Sequence, residues 1–363
     1  MRDRERLESI AEKLRYREGD WKEYDVIEDG QEGTVDDDFM PSWIYDREYD
    51  RGLKVKKKYM DLYREVRLED AIKGRVVSGD SGECYLIESS SDFKLCKIGR
   101  EIARQGLLSN LRLLRGIGPE KEVRLKLEGY RSIEDLTGHP RWSADARRFV
   151  EIVDSCDICR IQDELWHWLP KSDPLNLHLS AFTNVDRFVA LDIETLGLFS
   201  RPIILFGAAI VDGDKIKVLQ YLARDVNEEA AAIEHFCGLL EDRPLLSYNG
   251  RSFDVPYINQ RRWFYDLGTE INNIHFDMLH FTRRALKGYV PDARLKTVEK
   301  YLFGHERYDD VPGALVPEFY EDYIKTGNPG PLVPIVEHNR QDIITLARLF
   351  SKLCEDEHGN GKN

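Results

Sequence analysis

The sequence predicts an α/β fold. A five-stranded mixed sheet flanked by helices occupies the C-terminal half, preceded by a mainly helical region with one small β-hairpin. Three observations predict this. Strand-length apolar runs at 188–193, 202–211 and 215–222 follow one another, and Asp212-Gly213-Asp214 between the last two is a hairpin turn signal. Helical periodicity at 228–241, a strand at 244–248, a helix at 255–265 and a last strand at 274–278 then alternate, and helices run on to about Leu353. Upstream, alternating stretches around Gly79 and Gly82 predict a short hairpin near 74–98.

At 363 residues the chain has room for two domains or more. Residues 1–105 read as an N-terminal region of uncertain fold that includes the hairpin. A charged helical pattern opens it, and the acidic stretch Glu28–Asp38, with Asp36-Asp37-Asp38, reads as a solvated loop. A helical region follows over 106–168, then a linker over 169–184 marked by Pro170, Pro174 and Asn184. The α/β domain spans 185–356, and 357–363 reads as a disordered tail.

No apolar run reaches the ~18 residues of a membrane span, and the charged start Met1-Arg2-Asp3-Arg4-Glu5 lacks an apolar signal region. A soluble, cytoplasmic protein without membrane association is the expectation. Six cysteines are too sparse for a disulfide scaffold. Cys156 and Cys159 lack two further ligands at zinc-site spacing, so they read as an unliganded pair. Trp142, Trp166 and Trp168 read as packing residues.

The net charge of −13 is unevenly spread. Residues 1–50 hold 8 basic and 17 acidic side chains, residues 51–150 hold 22 and 15, and the remainder 23 and 34. The middle segment is a basic island of the kind that supplies phosphate contacts; an ordinary mixed-charge helical surface has the same composition.

The run Val189-Ala190-Leu191-Asp192-Ile193-Glu194-Thr195 puts two acids on one face of a buried strand, because residues i and i+2 of a strand point the same way. Two like charges buried there are costly, and a protonation shift or a bound cation relieves them. Asp254 follows in Asn249-Gly250-Arg251-Ser252-Phe253-Asp254, and Asp342 in His338-Asn339-Arg340-Gln341-Asp342. His338 and Asp342, four apart on a helix, share a face. A phosphodiester cleavage site needs this kind of donor set: hard Mg²⁺ or Mn²⁺ takes carboxylate oxygens rather than sulfur, and a histidine near neutral pKa moves the proton of water.

Asp-Ile-Glu-Thr-x-Gly-Leu, then Asn-Gly-x-x-Phe-Asp, then a late His-x-x-x-Asp resemble the DnaQ-like (DEDD) 3′-5′ exonuclease superfamily over about 188–353. Tyr308-Asp309-Asp310-Val311-Pro312-Gly313 and Glu337-His338-Asn339-Arg340-Gln341-Asp342-Ile343 look like its YprB-like, RNase H-like branch. The resemblance implies an RNase H-like sheet and hydrolysis with two divalent ions. Asp192, Glu194 and Asp342 would bind one ion, Asp192 would bridge to the second, and Asp254 would act directly or through water. It also implies His338 as general base, although His338 stands four residues before Asp342, the spacing of the superfamily's tyrosine subclass. Thr195 and Leu198 would contact the terminal nucleotide, and Asn249 shapes its turn or touches substrate. Asp277 and His280 lie nearby, Asp277 as a structural acid. Lys296 and Arg294 hold phosphate or face solvent.

Leu113-Leu114-Arg115-Gly116-Ile117-Gly118-Pro119 joins two amphipathic segments through a tight turn in which Gly116 and Gly118 permit positive φ, and Ser132 is placed to cap the next helix. The stretch 111–137 resembles the helix-hairpin-helix motif of DNA-binding proteins, in which backbone N–H groups hold a phosphate. Lys121, Arg124 and Lys126 would add charge; a turn used only for packing is the alternative. The expected function is a metal-dependent 3′-5′ exonuclease acting on nucleic acid, with DNA ahead of RNA and a repair or replication protein as a further partner. A structure-selective endonuclease, an RNase acting on RNA or RNA–DNA hybrid, and a non-catalytic nucleic-acid scaffold stay open.

Overall fold

The computed structural model describes residues 42–197 and 200–360. The charged start, the acidic loop at 28–38, Leu198 and the tail residues 361–363 lie outside the described residues. The strands are β1 (Arg75–Gly79), β2 (Gly82–Asp92), β3 (Val189–Thr195), β4 (Ile203–Asp212), β5 (Lys215–Leu222), β6 (Leu245–Ser247) and β7 (His275–Asp277). The helices are α1 (Ser42–Leu62), α2 (Leu68–Ala71), α3 (Arg100–Ser109), α4 (Pro119–Leu127), α5 (Ser143–Ser155) and α6 (Ile158–Trp168) before β3. After it come α7 (Glu229–Leu240), α8 (Asp254–Phe264), α9 (Met278–Ala285), α10 (Leu295–Phe303), α11 (Val316–Thr326) and α12 (Leu332–Asn360).

The five expected strands form one sheet in the order β5-β4-β3-β6-β7, with β3 antiparallel to β4 and parallel to β6. The sheet does not stop at five. The upstream hairpin turns at Asp80 and Ser81, whose amides donate to the Glu234 carboxylate, and β2 pairs along the whole of β5 to give the order β1-β2-β5-β4-β3-β6-β7. An unpaired edge strand presents a row of free backbone groups. The hairpin covers that edge of β5.

Helices cover both faces. Val189, Leu191 and Ile193 of β3 pack toward α7, whereas Ala190 faces the core that includes Ile343 and Phe350 of α12. Asp192 and Glu194 share the parity of Ala190 and so face α12. The helical segment before β3 is not set apart: Leu107, Phe149, Ile161 and Leu177 belong to the same core as Phe188, Phe276 and Phe350. The expected linker accordingly contains a 3-10 segment, Pro174–Phe182, whose residues from Asn176 to Ala181 are buried. Its composition, with three leucines, an alanine and a phenylalanine between Pro174 and Asn184, is core-like. The expected tail at 357–363 is helical as far as Asn360, where α12 ends.

In the turn at 115–119 Gly116 takes positive φ (+80°), whereas Gly118 is extended and precedes Pro119 at the first position of α4. The first amphipathic segment is a single 3-10 turn, Leu111–Leu113, and the segment after Ser132 is the 3-10 turn Asp135–Gly138. Ser132 Oγ accepts from Asp135 N at 3.2 Å while Asp135 Oδ2 accepts from Ser132 N at 2.8 Å, so the capping reciprocity is present on a shorter element. Cys156 ends α5 in the left-handed region, and Asp157 caps α6 through Cys159 N and Arg160 N.

One residue sets how closely α12 approaches the sheet. A Cβ on Gly207 of β4 would stand 2.1 Å from Asn339 Oδ1 and 2.3 Å from Ile343 Cδ1. Gly207 is the cross-strand partner of Asp192. Gly207→Ala is therefore expected to push α12 off the sheet beside Asp192 and to lower stability by roughly 1–3 kcal/mol, measured by urea unfolding; an unchanged midpoint would refute this close-packing role.

Candidate active site

The site is assembled where the end of β3, the start of α8 and one face of α12 meet. Parallel pairing of β3 with β6 stops after Ala190 and Leu246. Beyond it, the Ile193 amide donates to Asp254 Oδ1 at 3.2 Å, which ties the first residue of α8 to the acid-bearing strand. The turn before α8 brings Asn249 to φ +67°, and Asp277 holds it: Asn249 N and Arg251 N donate to the two Asp277 oxygens at 2.8 and 3.0 Å. Asp277 also accepts from Leu279 N at 3.2 Å as the cap of α9. Its task is to shape the turn that delivers Asp254, in keeping with a structural acid.

On α12, His338, Asn339 and Asp342 face the sheet. Asn339, fully buried and not singled out by sequence reasoning, donates to Asp192 Oδ2 at 2.8 Å and accepts from Gln220 Nε2 at 2.8 Å. Gln220, the lone amide in the apolar run of β5, was the signal available for this contact. His338 Nε2 lies 3.5 Å from Asp342 Oδ2 and 4.0 Å from Glu194 Oε1, so the geometry brings the strand acid, the helix acid and the imidazole together. The other ring nitrogen, Nδ1, is 2.6 Å from Asp310 Oδ1.

Asp310 and Arg307 belong to the loop before α11; Asp310 stands out in the sequence only as part of the 308–313 motif, and Arg307 does not stand out at all. Arg307 Nη1 stands 2.5 Å from Asp342 Oδ1, and its Nε donates to Glu299 Oε2 at 2.6 Å. Glu299, fully buried, also accepts from Thr345 Oγ1 at 2.7 Å and from Gln341. The Arg307–Asp342 contact is an ion pair rather than a directed hydrogen bond, and Asp342 Oδ1 is buried without a hydrogen-bond donor.

The remaining predicted site residues lie apart from this cluster or serve the backbone. Thr195 Oγ1 donates to the Gly197 carbonyl at 3.0 Å. Asn249 Oδ1 is buried without a hydrogen-bond partner. Lys296 pairs with Glu48 of α1 at 2.5 Å. Gly116, Gly118, Lys121 and Arg124 sit around the start of α4, where Lys121 Nζ donates to the Gly116 carbonyl at 2.8 Å and Arg124 pairs with Glu128.

Burial dominates the electrostatics. It pushes Asp192 well above the carboxylate range, aided by Asp342, Glu194 and Asp254. It pushes Glu194 to about 8, with Asp342 and Asp254 adding to the rise and His338 opposing it. It pushes Asp254 to about 7, against hydrogen bonds from its own amide and Ile193. Burial opposes charge on His338, but Asp342, the Asp310 hydrogen bond and Glu194 outweigh it and raise the ring to about 10. Burial likewise works against Asp310, yet its bond to His338 and the charges of His338 and Arg307 hold it below its ordinary value.

Residues 189–354 match the RNase H superfamily, and the β5-β4-β3-β6-β7 sheet carries two of its acids on the central strand. This part of the chain is an RNase H-like domain. The chain is also similar to the uncharacterized protein YprB of Bacillus subtilis (strain 168), 32% identical over 184 residues that cover 48% of this chain and 45% of YprB. The chain thus spans less than half of that relative's length. An RNase H-like domain points to a nuclease-type function and a nucleic-acid ligand. No helix among the described residues is long and apolar enough to cross a membrane.

The donor set suits a hard divalent cation: carboxylates without sulfur, three of them driven toward their neutral forms by burial and mutual repulsion, and a buried Asp342 oxygen lacking a donor. Among the described residues no three His, Cys, Asp or Glu side chains are grouped to hold a metal as they stand; Asp342 is drawn toward Arg307 and His338 instead.

These shifts make a stability prediction. Asp254 and Glu194, raised from 3.8 and 4.5 to about 7 and 8, hold protons in the folded state that the unfolded chain releases. The stabilisation they contribute is full below the unfolded values and is lost as pH rises through the folded ones. His338, raised from 6.5 to about 10, has the same sign. Asp310, lowered, loses its contribution only as pH falls below its ordinary value of 3.8. In EDTA the Tm is expected to fall steadily from pH 5 to pH 9, and Asp254→Asn to flatten the decline, by calorimetry; a Tm that climbs over that range would contradict the charge arrangement.

Proposed function

We propose that the RNase H-like domain is a divalent-metal-dependent nuclease of the DnaQ-like (DEDD) type, a 3′-5′ exonuclease acting on DNA. The observation that carries this reading is the approach of Glu194 and Asp342 to within 4.0 Å of His338 Nε2, beside Asp192 on the same strand face as Glu194 and Asp254 tied to that strand by its Ile193 hydrogen bond. Asp192, Glu194, Asp254 and Asp342 would hold two Mg²⁺ or Mn²⁺ ions. When bound, such ions supply Lewis-acid polarisation and charge neutralisation at the phosphodiester.

The chain's own groups do the rest. Asn339 fixes one oxygen of Asp192, leaving the other without a bond to that amide. Arg307, its charge balanced by Glu299, holds Asp342 Oδ1 and so sets the direction of Oδ2. Asp310 accepts the Nδ1 proton of His338, which leaves Nε2 as the nitrogen that takes a proton from the attacking water. That role requires neutral imidazole. With Glu194 and Asp342 uncompensated the ring is held protonated, so its base function depends on compensation of their charge.

DNA ahead of RNA rests on the turn that leads into α4, the part of the helix-hairpin-helix resemblance whose helix is present, since the segments at 111–113 and 135–138 are 3-10 turns. Space beside Gly116 and Gly118 is open, with no atom within 4 Å of a Cβ built at either, so a phosphate could approach the turn and the α4 amides closely.

The test is a gel time course with 5′-labelled single-stranded, duplex and forked DNA and RNA in Mg²⁺, Mn²⁺ and EDTA. A metal-dependent ladder shortening from the 3′ end, absent in Asp192→Asn, is expected; cleavage retained by that variant would sink the assignment. Large internal fragments would make the enzyme an endonuclease, and a retarded band without cleavage would make it a scaffold. Asp192→Asn is expected to keep or raise the Tm in EDTA, because it removes a buried like charge. Asp310→Asn is expected to lower kcat by about 10–100-fold with a partial return in Asp310→Glu; a wild-type rate in Asp310→Asn would remove Asp310 from the mechanism.

A further inference from the structure

A second cleft lies along α8, on the side of the Asn249–Asp254 turn that faces the sheet edge at β7. It encloses about 700 Å³ between α8, the loop at 268–273, the start of β7, and Trp166 and Lys171 from the helical segment before β3. Its polar lining includes Lys171, Arg251 and Arg262 against the single acid Glu270.

Arg251 is the unusual member. Its guanidinium is largely buried, yet among the described residues no carboxylate forms an ion pair with it. Nη2 donates to the His275 carbonyl, while Nε and Nη1 are buried without any hydrogen-bond partner. Burial accordingly works against its charge. A buried cation with two unmet donors is costly unless an anion completes it. The neighbouring His275 does not supply a competing cation, since burial pushes it down to about 3.

Aromatic surface is interleaved with these cations. Arg251 Cζ is 4.8 Å and Lys171 Nζ 4.7 Å from the centroid of the Trp166 ring. At the rim, Trp263 of α8 is 86% exposed, a large apolar ring left in water. Planar rings set among cations with unmet donors are what a single nucleic-acid strand engages, base on ring and phosphate on guanidinium or ammonium. The cleft adjoins the first site along the chain: Arg251 precedes Asp254 by three residues on one turn that Asp277 holds.

We infer that this cleft is a second nucleic-acid site, which takes a single-stranded segment by stacking on Trp263 and seating a phosphate against Arg251 and Lys171. The inference extends the nuclease reading by giving the substrate strand a second hold, and it rests on that reading only for the identity of the strand.

The full chain is tested in EDTA, where binding is measured without hydrolysis, by fluorescence anisotropy with a fluorescein-labelled oligothymidylate of about 12 nucleotides. Trp263→Ala with Lys171→Ala is expected to weaken binding at least about tenfold and to reduce the slope of log affinity against log salt by about 0.7, the share of one phosphate contact. Trp263 and Lys171 both lie at the rim, so the double variant should keep the wild-type Tm. Arg251→Lys, which retains the charge but not the fork of donors, is expected to weaken binding with the salt slope intact. Unchanged affinity in the double variant overturns the inference, as does selective loss of polyglutamate binding in place of oligonucleotide binding, which would mark a site for acidic peptide. Hydrolysis of a thymidine p-nitrophenyl phosphodiester, too short to span both sites, should proceed at the wild-type rate in the double variant. Absence of that hydrolysis in the wild-type chain would count against the nuclease reading and leave the binding result standing.

Discussion

Carboxylates gathered in a dry place are the constraint on which the acid-bearing end of the sheet depends. Asp192, Glu194 and Asp254 are each displaced upward, with burial the largest cause in every case. Such a cluster has no stability rationale of its own, because each ionised carboxylate taken from water without a partner is unfavourable. What tolerates it is a partial counter-charge drawn in from the helix side. His338 lies between Glu194 and Asp342, and Arg307 lies against Asp342. The arrangement is neutralised enough to fold and remains under-compensated, with burial still holding Asp192, Glu194 and Asp254 above the carboxylate range.

The counter-charge is itself organised from a distance. The loop carrying Arg307 and Asp310 is fastened by α1, the first described helix: Arg51 Nη2 donates to the Arg307 carbonyl at 3.2 Å, and Lys58 pairs with Asp309. Lys56 of the same helix pairs with Glu318 and Asp322 on α11, and Val55 joins the core that holds Val311 and Phe319. The exposed Lys58–Asp309 pair contributes little singly, so the half-buried Lys56 pairs and the apolar contacts do most of the fastening. A residue 256 positions from Arg307 in sequence thereby helps to fix the orientation of Asp342 and His338.

The sheet extension follows the same economy. By pairing with β5, the hairpin removes an open edge two strands away from the acid-bearing β3, and Arg224 then links Glu83 of β2 to Glu228 at the start of α7. The helical segment before β3 shares the core of α12 rather than forming a separate body, which places Trp166 and Lys171 against α8.

The strand and helix order from 188 onward was legible in the sequence because periods of 2 and 3.6 report which side of each element is buried. The pairing of Asp192 with Glu194 was legible for the same reason, since same-face placement follows from strand geometry alone. The residues that orient the acids were not. Asn339 lies beside His338 in a helix whose polar residues all look alike in one dimension, and only the contact with Gln220 and Asp192 distinguishes it. Arg307, Asp310 and Glu299 sit in stretches rich in charge, where composition cannot separate a solvated pair from a buried network. The 169–184 stretch looked like a linker because proline marks breaks in regular structure, whereas burial of Asn176–Ala181 depends on what packs above it. The sequence by itself determined the elements and the face each acid takes, because those properties are local. Only the tertiary structure decided which distant side chains meet that face, because the contacts holding Asp342, His338 and Arg251 join segments with no periodic relation to one another.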